Sequence, residues 1–223
     1  IFPGGGGLYP SGMTNIGGTL YFSADGPAAG RELWKSDGTQ AGTALIKDIK
    51  PGGGYSGSSD PNGFTSIGGV VYFSANDGTN GNELWKTDGT ATGTVMVKDI
   101  YTGSYGSGPS NFVAVGNTLY FSARTLGAGN ELWKSDGTAA GTVLVKDIAP
   151  GGGYYGNSSS PRNLTAVGNN VFFSADDEGA TGRELWKSDG TATGTVLVKD
   201  IRSGYYSAID TYGSNDFAEK DGK

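Results

Sequence analysis

The chain of 223 residues contains no cysteine and no histidine. Without cysteine there are no disulfides, thiolate metal sites or thiol nucleophiles. Without histidine, the usual general base and the commonest transition-metal ligand are also missing. Charge is scarce: 17% of residues are charged, against about 25% in ordinary domains. A formal net charge of −6 argues against a nucleic-acid partner, which normally demands a basic face. No apolar run approaches the roughly 18 residues that a membrane-spanning helix needs. What abounds is glycine, with 42 copies. That content excludes a long helical bundle, because each helical Gly costs about 1 kcal/mol. With 12 Tyr, 9 Phe and 4 Trp, the chain is too aromatic to be disordered.

Self-similarity decides the organisation. The string Glu-Leu-Trp-Lys-Ser/Thr-Asp-Gly-Thr occurs four times, with its Trp at 34, 85, 133 and 186, spaced by 51, 48 and 53 residues. Each copy continues as Gly-Thr and an apolar run closed by Lys-Asp-Ile, ending at Ile49, Ile100, Ile148 and Ile201. Each is preceded by a Tyr/Phe-Phe-Ser-Ala segment, and that by a short run ending in Gly-Gly or Gly-Asn. One repeat therefore holds four strand-like runs, a to d, over approximately 13–49, 62–100, 110–148 and 162–201.

Gly17-Gly18 and Gly68-Gly69 suit the tight a–b hairpin, which needs positive φ. The c–d junction, Asp-Gly-Thr-x-x-Gly-Thr, suits a turn in which Asp bonds its own backbone and Gly takes the left-handed position. Runs b and d are apolar at consecutive positions, which predicts cover on both faces. Four-stranded antiparallel sheets packed face to face about an axis make a propeller. The expected fold is thus all-β, a β-propeller-type array of four four-stranded antiparallel blades, forming a single repeat domain over 1–223. An open stack of repeats, as in a fibre subunit, is the alternative.

All four copies of Glu-Leu-Trp-x-x-Asp-Gly-Thr match the motif of the bacterial ELWxxDGT repeat proteins, and the repeats span about residues 13–201. The chain resembles that family. The resemblance implies tandem propeller-type repeats in a secreted or cell-surface bacterial protein, and it implies no defined catalytic role.

The four repeated Trp are expected to pack between adjacent sheets. The repeated Glu32, Glu83, Glu131 and Glu184 are expected to pair with a neighbouring Lys or to bond backbone groups. In an up-and-down blade the b–c and d–a loops emerge at one end. There the d–a loops carry Tyr55, Tyr105, Tyr154 and Tyr155, with Tyr205 and Tyr206 after the last repeat, and the b–c loops carry Asp77 and Arg124. Tyr with Gly and Ser is the composition of adaptable recognition loops, so these eight residues form the candidate binding set. Flexible linkers of the same composition are the competing reading. Asp176, Asp177 and Glu178 are the candidate ligands for a calcium ion, which needs six to eight oxygens; no other cofactor is implied. Two glycosylation sequons, at Asn157 and Asn163, read as loop positions.

These residues point to a non-catalytic extracellular binding or adhesion module, with a carbohydrate polymer or another cell-surface component as partner. A filament or surface-layer subunit is the second reading. It draws on the ends of the chain, where residues 1–7 read like 49–54 and residues 214–217 resemble the start of run a. The tail 202–223 thus offers a fifth partial repeat whose unpaired strand is expected to add to a sheet, allowing self-association through the termini. A propeller glycosidase ranks third. It needs paired carboxylates about 5–9.5 Å apart, and only Asp60, Asp176–Glu178, Asp210 and Asp216 depart from the repeat.

Overall fold

The computed structural model describes residues 9–26, 29–52, 57–151, 156–179 and 181–201. Among these, every regular element is a β-strand, and no helix is long and apolar enough to cross a membrane. The first sheet joins β1 (Ser11–Ile16), β2 (Thr19–Gly26), β3 (Gly30–Ser36) and β4 (Ala44–Lys47). The second joins β5 (Asn62–Ile67), β6 (Val70–Asn76), β7 (Asn82–Thr87) and β8 (Val95–Lys98). The third joins β9 (Ser110–Val115), β10 (Thr118–Thr125), β11 (Gly129–Ser135) and β12 (Val143–Lys146). The fourth joins β13 (Arg162–Val167), β14 (Asn170–Asp176), β15 (Arg183–Ser188) and β16 (Val196–Lys199). All pairings are antiparallel between chain neighbours, as an up-and-down blade requires. The protein is all-β, a propeller-type array of four four-stranded blades. The chain divides into two units, Ile1–Gly108 and Pro109–Lys223, each holding two blades.

Register repeats with the sequence. Phe22 faces Trp34, Phe73 faces Trp85, Phe121 faces Trp133 and Phe173 faces Trp186. In every first strand the ladder slips once, at a left-handed residue: Gly12, Gly63, Asn111 or Asn163. This is a β-bulge built where Gly or Asn tolerates positive φ. Asn163 therefore lies inside β13 and not in a loop, a correction to the sequon reading.

Two kinds of face alternate. In the first unit Tyr21, Leu33, Ile46 and Ile49 of the first blade pack on Val71, Phe73, Ala75 and Trp85 of the second. In the second unit Tyr120, Leu132, Val145 and Ile148 pack on Val171, Phe173, Ala175 and Trp186. A leucine face thus covers the tryptophan face of the next blade, as expected for Trp85 and Trp186. The expectation for run d is corrected: Val95, Val143 and Val196 are exposed. Run d is an edge strand of its sheet, and its four residues keep that open edge short.

Candidate functional site

The c–d turns form one end of each blade. Asp37 accepts from the backbone N–H of Thr39 at 2.9 Å and from its hydroxyl at 2.7 Å. Thr39 Oγ1 accepts from Gly42 N–H at 2.9 Å. Asp88, Asp136 and Asp189 repeat the arrangement. Gly38, Gly89, Gly137 and Gly190 all have positive φ, as the turn demands. The second Gly of the motif has a different cause: a Cβ on Gly42, Gly93, Gly141 or Gly194 would collide with the Asp carboxylate. These aspartates serve the turn.

At the other end the b–c and d–a loops meet, as the strand count requires. In the second blade a Cβ on Gly81 would strike the Gly106 backbone, and Gly108 N–H donates to Asn82 O at 2.9 Å. In the third, Gly129 and Gly156 make the same close approach. Beneath each loop pair lies a buried glutamate. Glu32 accepts from the backbone N–H of Ile49 and Ser59 at 2.8 and 3.0 Å, and from Ser59 Oγ at 2.6 Å. Glu83 accepts likewise from Ile100, Tyr101 and Ser107 N–H and from Ser107 Oγ. Glu131 holds Ile148 N–H and the N–H and Oγ of Ser159. Ser59 O and Ser159 O then accept from Asn76 and Asp176 N–H of the following blade, each at 2.9 Å. The glutamates bond backbone groups, one of their two expected roles, and Ser hydroxyls complete the set. Burial pushes all three carboxyls up, that of Glu131 to about 7, while the donated hydrogen bonds pull the other way. Ser59, Ser107 and Ser159 escaped the sequence reading; the doublets Ser58-Ser59 and Ser158-Ser159 were their signal.

These clasps pin the loop that carries Tyr105. Tyr105 is 86% exposed, and its ring meets Tyr101 edge-on, with centroids 6.1 Å apart. Asp77 sits on the neighbouring b–c loop, so the structure brings these two candidates to one end of the second blade. The carboxylate of Asp77 is used by its own loop, accepting from Thr79 N–H, Asn80 N–H and Asn80 Nδ2 at 2.7–2.8 Å. Burial pushes it up, and those bonds outweigh burial and hold it below the usual carboxylate range. Arg124 is exposed at the end of β10. Tyr55, Tyr154, Tyr155, Tyr205 and Tyr206 lie outside the described residues, as does the tail 202–223.

Two of the three calcium candidates, Asp176 and Asp177, are also engaged. Asp176 accepts from Glu178 N–H at 2.9 Å, and Asp177 from Gly179 N–H at 3.1 Å and Thr181 Oγ1 at 3.0 Å. Among the described residues no group of three acidic side chains converges as a metal site would require. Asp25 pairs with Arg31 at 3.2 Å.

No family model matches the chain, and no curated protein matches it in sequence. Solved structures match it in fold. A puromycin hydrolase aligns at 15% identity with a TM-score of 0.53, over 90% of this chain and 29% of that one. A puromycin-hydrolyzing peptidase of Mycobacterium tuberculosis aligns at 11% identity and a TM-score of 0.50, over 86% of this chain and 29% of that one. The computationally designed Ika8 protein aligns at 14% identity and 0.48, over 89% and 51%. The chain therefore spans about half of one neighbour and under a third of the others. The likeness is one of fold, to the propeller domains of those peptidases.

Proposed function

We propose that the chain is a non-catalytic extracellular binding module that recognises polymeric carbohydrate through the loop end of its blades. One observation carries the reading: the exposed Tyr105 ring, braced edge-on by Tyr101, stands on a backbone pinned by the buried Glu83. A Tyr ring offers a flat apolar surface and a hydroxyl at low entropic cost. Pinning the backbone beforehand spares the ordering cost on binding. Several weak sites on one polymer then gain by multivalency. The extracellular setting follows from the resemblance to the ELWxxDGT repeat proteins. A non-catalytic role is favoured because Asp25, Asp77, Asp176 and Asp177 already serve their own loops and the four repeated glutamates are buried.

A glycan array followed by calorimetry, with and without calcium, tests the reading. Tyr105→Ala is expected to lower affinity by tenfold or more, about 1.4 kcal/mol, with the unfolding midpoint unchanged. No glycan binding by the unaltered chain in either condition overturns it.

A further inference from the structure

We propose that the chain associates head to tail with a second copy of itself. The leucine face of the β13–β16 blade in one copy covers the tryptophan face of the β1–β4 blade in the next. The recognition rule is visible twice within the molecule. In the first unit Lys35 Nζ donates to Gly89 O at 2.8 Å, and Lys47 Nζ donates to Thr94 O at 2.7 Å. Lys47 also stands 6.0 Å from the centroid of Trp85. In the second unit Lys134 reaches Gly190 O and Lys146 reaches Thr195 O, both at 2.8 Å, with Lys146 5.7 Å from Trp186. Two lysine hooks on a leucine face thus grip two turn carbonyls and an indole on a tryptophan face. The cores described above seal each joint.

The same positions are uncovered on the two faces named in the proposal. On β13–β16 the hooks are Lys187 and Lys199, and both are exposed. Val198 is 43% exposed, whereas its counterparts Ile46 and Val145 are 7% and 6% exposed. Ile201 is 59% exposed, whereas Ile49 and Ile148 are 5% exposed. On β1–β4 the receiving half is open as well. Ser36 and Thr43 are partly exposed, although Thr87, Thr94, Ser188 and Thr195 are fully buried. A Cβ on Gly38 would meet nothing within 4 Å, yet on Gly89 or Gly190 it would meet a Tyr hydroxyl. Leu45 is exposed, while its counterparts Met96 and Leu197 pack against the cores. One face has cationic hooks and apolar side chains that no described residue covers. The other has the matching carbonyls, indole and apolar seat. Phe172 stands where Tyr21 and Tyr120 stand, so this joint forgoes the hydroxyl contact and rests on the hooks. Because the two faces differ, the contact is heterologous, and it propagates unless the rotation closes a ring.

Sedimentation equilibrium of the full chain tests this with two blocking substitutions at exposed residues, Leu45→Arg on one face and Val198→Arg on the other. The unaltered chain is expected to gain mass with concentration, and each variant alone to keep the mass of one chain. An equimolar mixture of the two retains one good face of each kind and yields a two-chain complex and nothing larger. Lys199→Glu, which leaves the apolar contacts in place, weakens association by itself. Tyr105→Ala leaves the mass unchanged, which separates this proposal from the carbohydrate reading. A single-chain mass for the unaltered protein up to millimolar concentration overturns it. So does a variant mixture that assembles no differently from either variant alone.

Discussion

The two ends of a blade solve the same problem by opposite means. At the turn end, Asp, Thr and Gly within seven consecutive residues bond one another, and the result is identical in all four repeats. At the loop end, a buried Glu reaches Ser residues 24 to 28 positions away, and the loops above it differ in every copy. Within each unit the two blades are tied at both ends, by lysine hooks to turn carbonyls at one and by the Glu–Ser clasp at the other. The turn end is exposed and its bonds compete with water. The clasp beneath the loops is dry, so its bonds count for more and a lost partner costs more. The difference teaches where variation is tolerated: a rigid, buried clasp lets the loops above it change freely.

The sharpest way to break the comparison is to remove one clasp. Glu131→Ala leaves three buried donors unsatisfied: Ile148 N–H, Ser159 N–H and Ser159 Oγ. Each costs about 1–3 kcal/mol, so a loss of roughly 3–9 kcal/mol is expected in urea unfolding. Glu131→Gln keeps one acceptor and should lose about 1–2 kcal/mol. Equal, small losses for both would mean that the loop end is no drier than the turn end.

At the turn end the largest effect should come from a methyl group. Gly93→Ala drives a Cβ into the Asp88 carboxylate and is expected to cost about 1–3 kcal/mol, the range for overpacking. Because the collision is with one movable side chain, Asp88→Ala in the same chain should recover much of that loss. Additive effects in the double-mutant cycle would refute the assigned cause of this glycine.

Legibility in the sequence follows the same division. The turns could be read directly, because Asp37 and Thr39 lie within one motif and act on each other. Alternation along run c was legible too, since it puts Glu32 and Trp34 on one face, but the pairing of Trp34 with Phe22 across the ladder was not. The second glycine was not, because its reason is a carboxylate folded back over it. The clasps were half legible: the repeated Glu announced a role, but Ser107 lies in a loop whose length and spelling match no other copy. The lysine hooks were invisible, as 54 and 56 residues separate Lys35 from Gly89 and Lys134 from Gly190. Of the d–a loops the composition was legible, but nothing local in the sequence says that Tyr101 braces Tyr105.

The smallest expected effect is also the one that weighs burial against hydrogen bonding at the clasp. Burial raises the Glu131 carboxyl from 4.5 to about 7. A folded-state value above the unfolded one means that the native protein holds its proton more tightly. The stabilisation is then complete below about pH 4.5 and is lost as pH rises through about 7. The turn aspartates Asp37, Asp88 and Asp189 run the other way. The hydroxyl and backbone N–H of Thr39, Thr90 and Thr191 hold them below 3.8. Their stabilisation is present above that value and is lost as pH falls through the lowered one. Stability should therefore peak in the acid range between the two windows and decline toward neutrality, by at most about 1.4 kcal/mol per pH unit, the slope set by release of one proton. Urea midpoints taken from pH 4.5 to 7.5 check the sign, and Glu131→Gln, which cannot ionise, should flatten the decline. If stability instead rises toward neutrality in the unaltered chain and the Gln variant removes that rise, the donors outweigh burial. The clasp then holds a carboxylate at every pH at which the protein is folded.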